Sequence, residues 1–280
     1  MEASKTRSGG AVIRRLSKYR PIPALLFRCR RQGLPDLTRS IIRHVFTERS
    51  RPIALAALVF LVLDGLASLL VVAAYGFDLA LLTDHGALVD EGPAAAGLLR
   101  LGAIVDMYGY LALAPVVIYL HGRMSRALPD HLRQLGLAPL VTAAGLGFVL
   151  IGAIGAILLG SVGPWLLEAP ATNAATHAAT RVQFGALENA VIVGLWGALE
   201  LPLLSIWLIG VSWVARAEGR VFAWVGMGAG VGALGYGIRT GLTGAVPLPI
   251  AGPQDLLIAG GLILFGIWML WLPIRLWRGR

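Results

Sequence analysis

The chain is short of charge, lysine and cysteine. Of its 280 residues 14% are charged and 57% are hydrophobic, where a soluble domain carries about a quarter charged residues. With a mean hydropathy of +0.75, this composition argues against an ordinary cytosolic domain and for a membrane protein. There is one cysteine, Cys29. It excludes an internal disulfide and a thiolate metal site. Its place in a basic, near-membrane stretch makes it a lipidation candidate, although an incidental thiol is the plainer reading. Lys5 and Lys18 are the only lysines, so the positive charge is carried by arginine. The start lacks the short apolar run and small-residue cleavage site of a secretory signal, and the first span is expected to act as the insertion signal.

Catalytic motifs are missing as well. The sequence has no HExxH, no CxxC, no phosphate-cradling GxxxxGK[ST] and no GxSxG nucleophile elbow. The histidines (His44, His85, His121, His131 and His177) are scattered over loops and span ends, which does not suit a transmembrane haem. No catalytic, cofactor-binding or metal-binding residue is assigned, and no nucleic-acid partner is expected.

What is present is strongly ordered by charge and hydropathy. Residues 1–51 hold 13 Lys and Arg against Glu2, Asp36 and Glu48, a net +10, while the whole chain nets +9. A basic tail beside a membrane span reads as a contact for anionic lipid headgroups and a topology signal. Within it, the stretch near 36–49 can place Leu37, Ile41, Ile42, Val45 and Phe46 on one face, the pattern of an interfacial helix. Six apolar segments follow near 52–76, 98–121, 136–160, 186–214, 221–243 and 255–275. Each is long enough for a hydrocarbon core of about 30 Å. The longest, 186–214, is expected to tilt or to begin outside the bilayer. A short basic tail, 276–280, closes the chain. Lipid excludes an open sheet, so the expected fold is an all-α, polytopic six-helix membrane bundle.

The loops give this bundle a direction. Loop 77–97 has Asp78, Asp84, Asp90 and Glu91 and no basic residue, whereas loop 122–135 has Arg123, Arg126 and Arg133. Loop 161–185 has Glu168 and, of Lys and Arg, only Arg181; turn 215–220 has Arg216 and Arg220 against Glu218, loop 244–254 is uncharged, and the end carries Arg275, Arg278 and Arg280. Positive charge alternates with each crossing, which predicts both termini in the cytoplasm of a bacterial cell with the bundle in its cytoplasmic (inner) membrane. Small residues predict close helix contacts at Gly145, Gly152 and Gly155 in the third span and at Gly228, Gly232 and Gly235 in the fifth. The sixth span has no charge between Leu256 and Leu272 and is expected to face lipid more than the others.

Acids inside the spans are the candidate functional residues, because lipid offers them nothing. Asp106 shares a helical face with Gly102, Ala103, Gly109 and Tyr110. Counted from a span start near 98 it lies about 12 Å deep, a depth that matches Glu188 and Arg239. These three form one candidate buried cluster, read first as a clamp fixing helix register. Asp64 and Glu200 sit near mid-span and form a second candidate, a proton or cation site. Two nearby buried acids can share a proton, and Pro202 has no N–H for the carbonyl of Ala198.

These features support three functional expectations. The first is a non-enzymatic accessory or sensing membrane protein, with partners in anionic lipid, another membrane protein or a second copy. The second is a small proton- or cation-coupled transporter using the buried acids. The third is a membrane enzyme acting on a lipid-like substrate.

Overall fold

A computed structural model of the chain describes residues 36–78, 84, 86–169, 173–244 and 253–278, with side chains left aside at 36–49 and 253–259. The basic stretch 1–35, including Cys29, lies outside the described residues. The chain divides into two compact units, 1–48 and 49–280. In the first, the described residues are helical from Asp36. The amphipathic face expected there involves side chains outside the described set.

The second unit is built from helices, with no strand among the described residues. Its elements are α1 (Asp36–Ala74), which starts in the first unit, α2 (Leu88–Glu91), α3 (Pro93–Ala127), α4 (Asp130–Gln134) and α5 (Leu137–Leu167). Then come α6 (Ala174–Glu188), a π-helical segment (Asn189–Glu200), α7 (Leu201–Ala215), α8 (Arg220–Thr243) and α9 (Pro253–Trp277). Six stretches are long and apolar enough to cross a membrane: Ser50–Ala74, Pro93–Ala127, Leu137–Leu167, Ala174–Ala215, Arg220–Thr243 and Gly260–Trp277. The fourth runs 42 residues, roughly 60 Å at an α-helical rise. It exceeds the ~30 Å of a hydrocarbon core, so part of it stands outside.

Small residues set the packing. On α3 and α5 the contacts are antiparallel and recur about every second turn. Positions 160, 152 and 145 of α5 are glycines whose missing side chains are replaced by Ala103, Tyr110 and Val117 of α3. On the other side of α3, Gly102 meets Leu70 and Val71 of α1, and Gly109 meets Leu63 and the backbone of Asp64. Further round, Gly232 of α8 lies against Gly261 of α9, and Gly237 against Pro202 of α7. Lipid tails are as apolar as leucine, so such backbone approach supplies what hydrophobicity cannot.

A line of aromatic rings fills the core. Tyr110 meets Phe148 edge-on at 5.5 Å, Phe148 stacks on Trp207 at 6.5 Å, and Trp207 meets Trp268 at 5.7 Å. Phe222 stacks on Trp268 at 5.2 Å and carries the Arg275 guanidinium 4.7 Å above its ring. Trp268, Met269, Leu272 and Leu276 are buried. The sixth span gives one face to the core, yet its most apolar window is less buried (33%) than those of the third, fourth and fifth spans (50%, 39% and 39%), as its lack of charge suggests. The first span is more lipid-exposed still, with 17% of its most apolar window buried. Absence of charge marks what a helix can tolerate, and an aromatic face can still be buried.

Candidate functional site

Two groups of polar residues are built into this bundle, and both use the fourth span. The first is a clasp at the end of the bundle that carries Tyr75 and Gly86. Glu188, 2% exposed, accepts a hydrogen bond from the Tyr75 hydroxyl on Oε1 and one of 2.7 Å from the Gly86 backbone N–H on Oε2. Both carboxylate oxygens are thus engaged. Burial and the neighbouring Glu188 charge push the Tyr75 phenol well above its ordinary range. Gly86 adopts φ +102°, and a Cβ there would lie 2.7 Å from the Arg181 carbonyl oxygen. Only glycine meets both conditions. Around this core, Arg181 donates to Asp84 at 2.5 Å and to Asp90, and His177 Nε2 lies 3.4 Å from Asp90. The helix presenting His177 and Arg181 begins at a capping box in which Asn173 and Thr176 satisfy each other's backbone N–H groups. Arg100 and Glu168 pair at 3.0 Å nearby.

The second group lies deeper. Tyr110 donates a 2.8 Å hydrogen bond to Glu200 Oε1. Glu200 is 4% exposed. Its other oxygen, Oε2, is buried and has no hydrogen-bond partner. Asp106 lies one turn before Tyr110 on α3, and the backbone of Asp64 lies beside Gly109. The α1–α3 register explains the gathering. Position 102 faces 70–71 and position 109 faces 63–64, so Asp106 and Asp64 lie along one seam. The Tyr110 ring rests where a side chain at Gly152 would be. The Trp196 indole N–H donates to the Gly152 carbonyl at 3.3 Å, tying the π-segment to α5.

That segment positions Glu200. The N–H of Leu201 bonds the carbonyl of Trp196, five residues back, in place of the α-helical four. Pro202 follows without an N–H. It can satisfy neither Ala198, four residues back, nor Gly197, five back. Single π-turns inside α-helices concentrate at functional sites; here the wide helix spans Asn189–Glu200 and ends on the acid itself.

The sequence candidates thus fall into different groups. Asp64 and Glu200 belong to one electrostatic cluster, and Asp106 is in it too. The contacts described for Glu188 run to Tyr75 and Gly86, while the described charge neighbour of Asp106 is Asp64. Arg239 interacts electrostatically with Tyr236 and borders a groove of about 1000 Å³ with Gly228, Gly232 and Gly235 of α8. The second span begins at Pro93, which places Asp106 about 20 Å from the helix start at 1.5 Å per residue rather than 12 Å. Tyr110 was seen in the sequence only as a polar tip beside Asp106. Tyr75, Gly86 and the π-segment carried no sequence signal beyond Pro202.

At the opposite end, Arg123 pairs with Glu218 at 2.6 Å, and Arg275 donates to the Glu218 backbone carbonyl at 3.0 Å. His121 Nδ1 lies 2.8 Å from the Thr142 hydroxyl. Among the described residues no group of three acids, histidines or cysteines is arranged to hold a metal ion.

Fold and site together define a multi-pass helical membrane protein with carboxylates gathered inside the bundle. No family model, curated protein or solved structure matches the chain.

Proposed function

We propose that the protein is a small proton- or cation-coupled transporter whose coupling site is the Glu200, Asp106 and Asp64 cluster. The observation that carries this reading is Oε2 of Glu200, buried with no hydrogen-bond partner among the described residues. A buried polar atom without a partner costs about 1–3 kcal/mol, and a helix clamp needs no such atom. The role of accessory or sensing component rested on the buried acids being structural. Glu188 fits that description, and Glu200 does not. A lipid-modifying enzyme is the weaker reading, because the Tyr110 hydroxyl beside Glu200 is buried in the bundle.

The setting follows from the charge bias. Six crossings bring both ends to one side, and the arginines of 1–51, 122–135 and 275–280 make that side the cytoplasm. We place the bundle in a bacterial cytoplasmic membrane, with the basic tail on anionic headgroups. The test is ion flux in reconstituted vesicles under an imposed gradient, read with an entrapped pH dye. Wild-type protein carries flux, and Glu200→Gln and Asp64→Asn do not. Unchanged flux in both variants, with folding intact, contradicts the reading.

A further inference from the structure

We infer that the ion exchanged at this centre is a proton, shared among the carboxyls of Glu200, Asp106 and Asp64, with Tyr110 as the positioning residue. The inference rests on the transporter reading above and narrows it.

Three observations support it independently of any titration. First, Glu200 Oε2 is a bare acceptor inside the bundle. A proton placed there neutralises a buried carboxylate whose other oxygen is already engaged. Second, among the described residues no three acids, histidines or cysteines are placed to hold a metal ion. A cation such as sodium needs several oxygens at bonding distance around one point, whereas a proton needs one donor and one acceptor. Third, Tyr110 occupies Oε1, so exchange is directed to Oε2. The floor under the Tyr110 ring is Gly152, and the Gly152 carbonyl is in turn held by Trp196. Both oxygens of Glu200 are thereby assigned, one to orientation and one to exchange.

The charged surroundings are consistent with this division. Asp64 comes from α1, and Asp106 and Tyr110 come from α3. The third-span helix, α5, has no titratable side chain between Leu137 and Leu167. On α8 the titratable groups on this side are Tyr236 and Arg239, which interact with each other. The exchange is balanced: Glu200 Oε2 gains a proton from one side of the membrane and releases the same proton through Asp106 and Asp64, and no bond other than O–H forms or breaks.

The test is infrared difference spectroscopy of the full chain in lipid nanodiscs, following the carbonyl band of protonated carboxyl groups between about pH 5 and 9. Wild-type protein shows a titrating band whose midpoint is the same in sodium and potassium buffers. Glu200→Gln removes it. Glu200→Asp keeps a band at a new midpoint, which covers the event that the glutamine variant misfolds. Asp106→Asn and Asp64→Asn each move the midpoint by about one pH unit by removing a like charge. Tyr110→Phe also moves the midpoint and slows flux by about tenfold, the loss of one hydrogen bond to a charged group. A midpoint that follows sodium concentration overturns the proton assignment and leaves cation-coupled transport standing. A wild-type protein with neither a titrating band nor a sodium effect removes both.

Discussion

Glu188 and Glu200 stand at the two boundaries of the π-segment of the fourth span, and each is held by a tyrosine. They are left in different states. Glu188 has both oxygens engaged, by Tyr75 and by the Gly86 N–H, and the acids near it, Asp84 and Asp90, are matched by Arg181. Glu200 has one oxygen on Tyr110 and the other bare, and its described charge neighbours are the acids Asp106 and Asp64. The lesson is that a buried carboxylate is not a functional mark by itself. Full hydrogen bonding describes a fastening, and a buried carboxylate oxygen without a partner calls for an explanation of its own.

The largest effect that would sharpen this contrast is on flux. Glu200→Gln is expected to lower vesicle ion flux by about a hundredfold or more, the scale of losing a proton-transferring group, whereas Glu188→Gln leaves flux near wild type. Next comes Gly152→Ala. Its added methyl meets the Tyr110 ring, so it is expected to cost about 1–3 kcal/mol by overpacking and to lower flux by displacing Tyr110, seen together in thermal unfolding and the vesicle assay. An equal change at the clasp, Tyr75→Phe, is expected to cost about 1.5–3 kcal/mol for a lost hydrogen bond to a charged group, with flux retained. It carries a pH signature too. The folded state holds the Tyr75 proton more tightly than the unfolded chain. That stability is present below about pH 10, the ordinary tyrosine value, and is lost as pH rises above it and the unfolded tyrosine ionises. Unfolding of Tyr75→Phe measured above pH 10 should show a shallower loss. The smallest effect is Arg181→Ala, about 0.5–1 kcal/mol, because its side chain is 37% exposed and solvent screens the pairs. A flux loss in Arg181→Ala as large as that in Glu200→Gln would break the contrast.

Much of the scaffold was legible in the chain. Hydropathy located all six spans, because a span long enough for lipid has few other readings. The glycines at 145, 152, 155, 228 and 232 marked close approaches, whereas Gly235 of the same row has nothing within 4 Å. The clasp was half legible: an acidic segment at 77–97 with no base, and a later loop with the lone Arg181. Its centre was not, since Glu188 reaches partners 102 and 113 residues away, and sequence spacing carries no information on which helices are neighbours. Asp106 shares a counted depth with Glu188 and Arg239, but the helix itself starts at Pro93, and depth alone does not say which helices are neighbours. The π-segment is invisible to periodicity because one extra residue per turn leaves an apolar stretch apolar. Pro202 was its single trace, noticed for the carbonyl it frees.

The central claim is that the two glutamates of one span divide between fastening and exchange. The direct measurement is a paired one: ion flux and melting temperature of Glu188→Gln and Glu200→Gln in the same lipid preparation. The account predicts that Glu200→Gln loses flux and keeps its melting temperature, while Glu188→Gln melts earlier and keeps its flux. Retained flux in Glu200→Gln, or loss of stability alone in both variants, would contradict it.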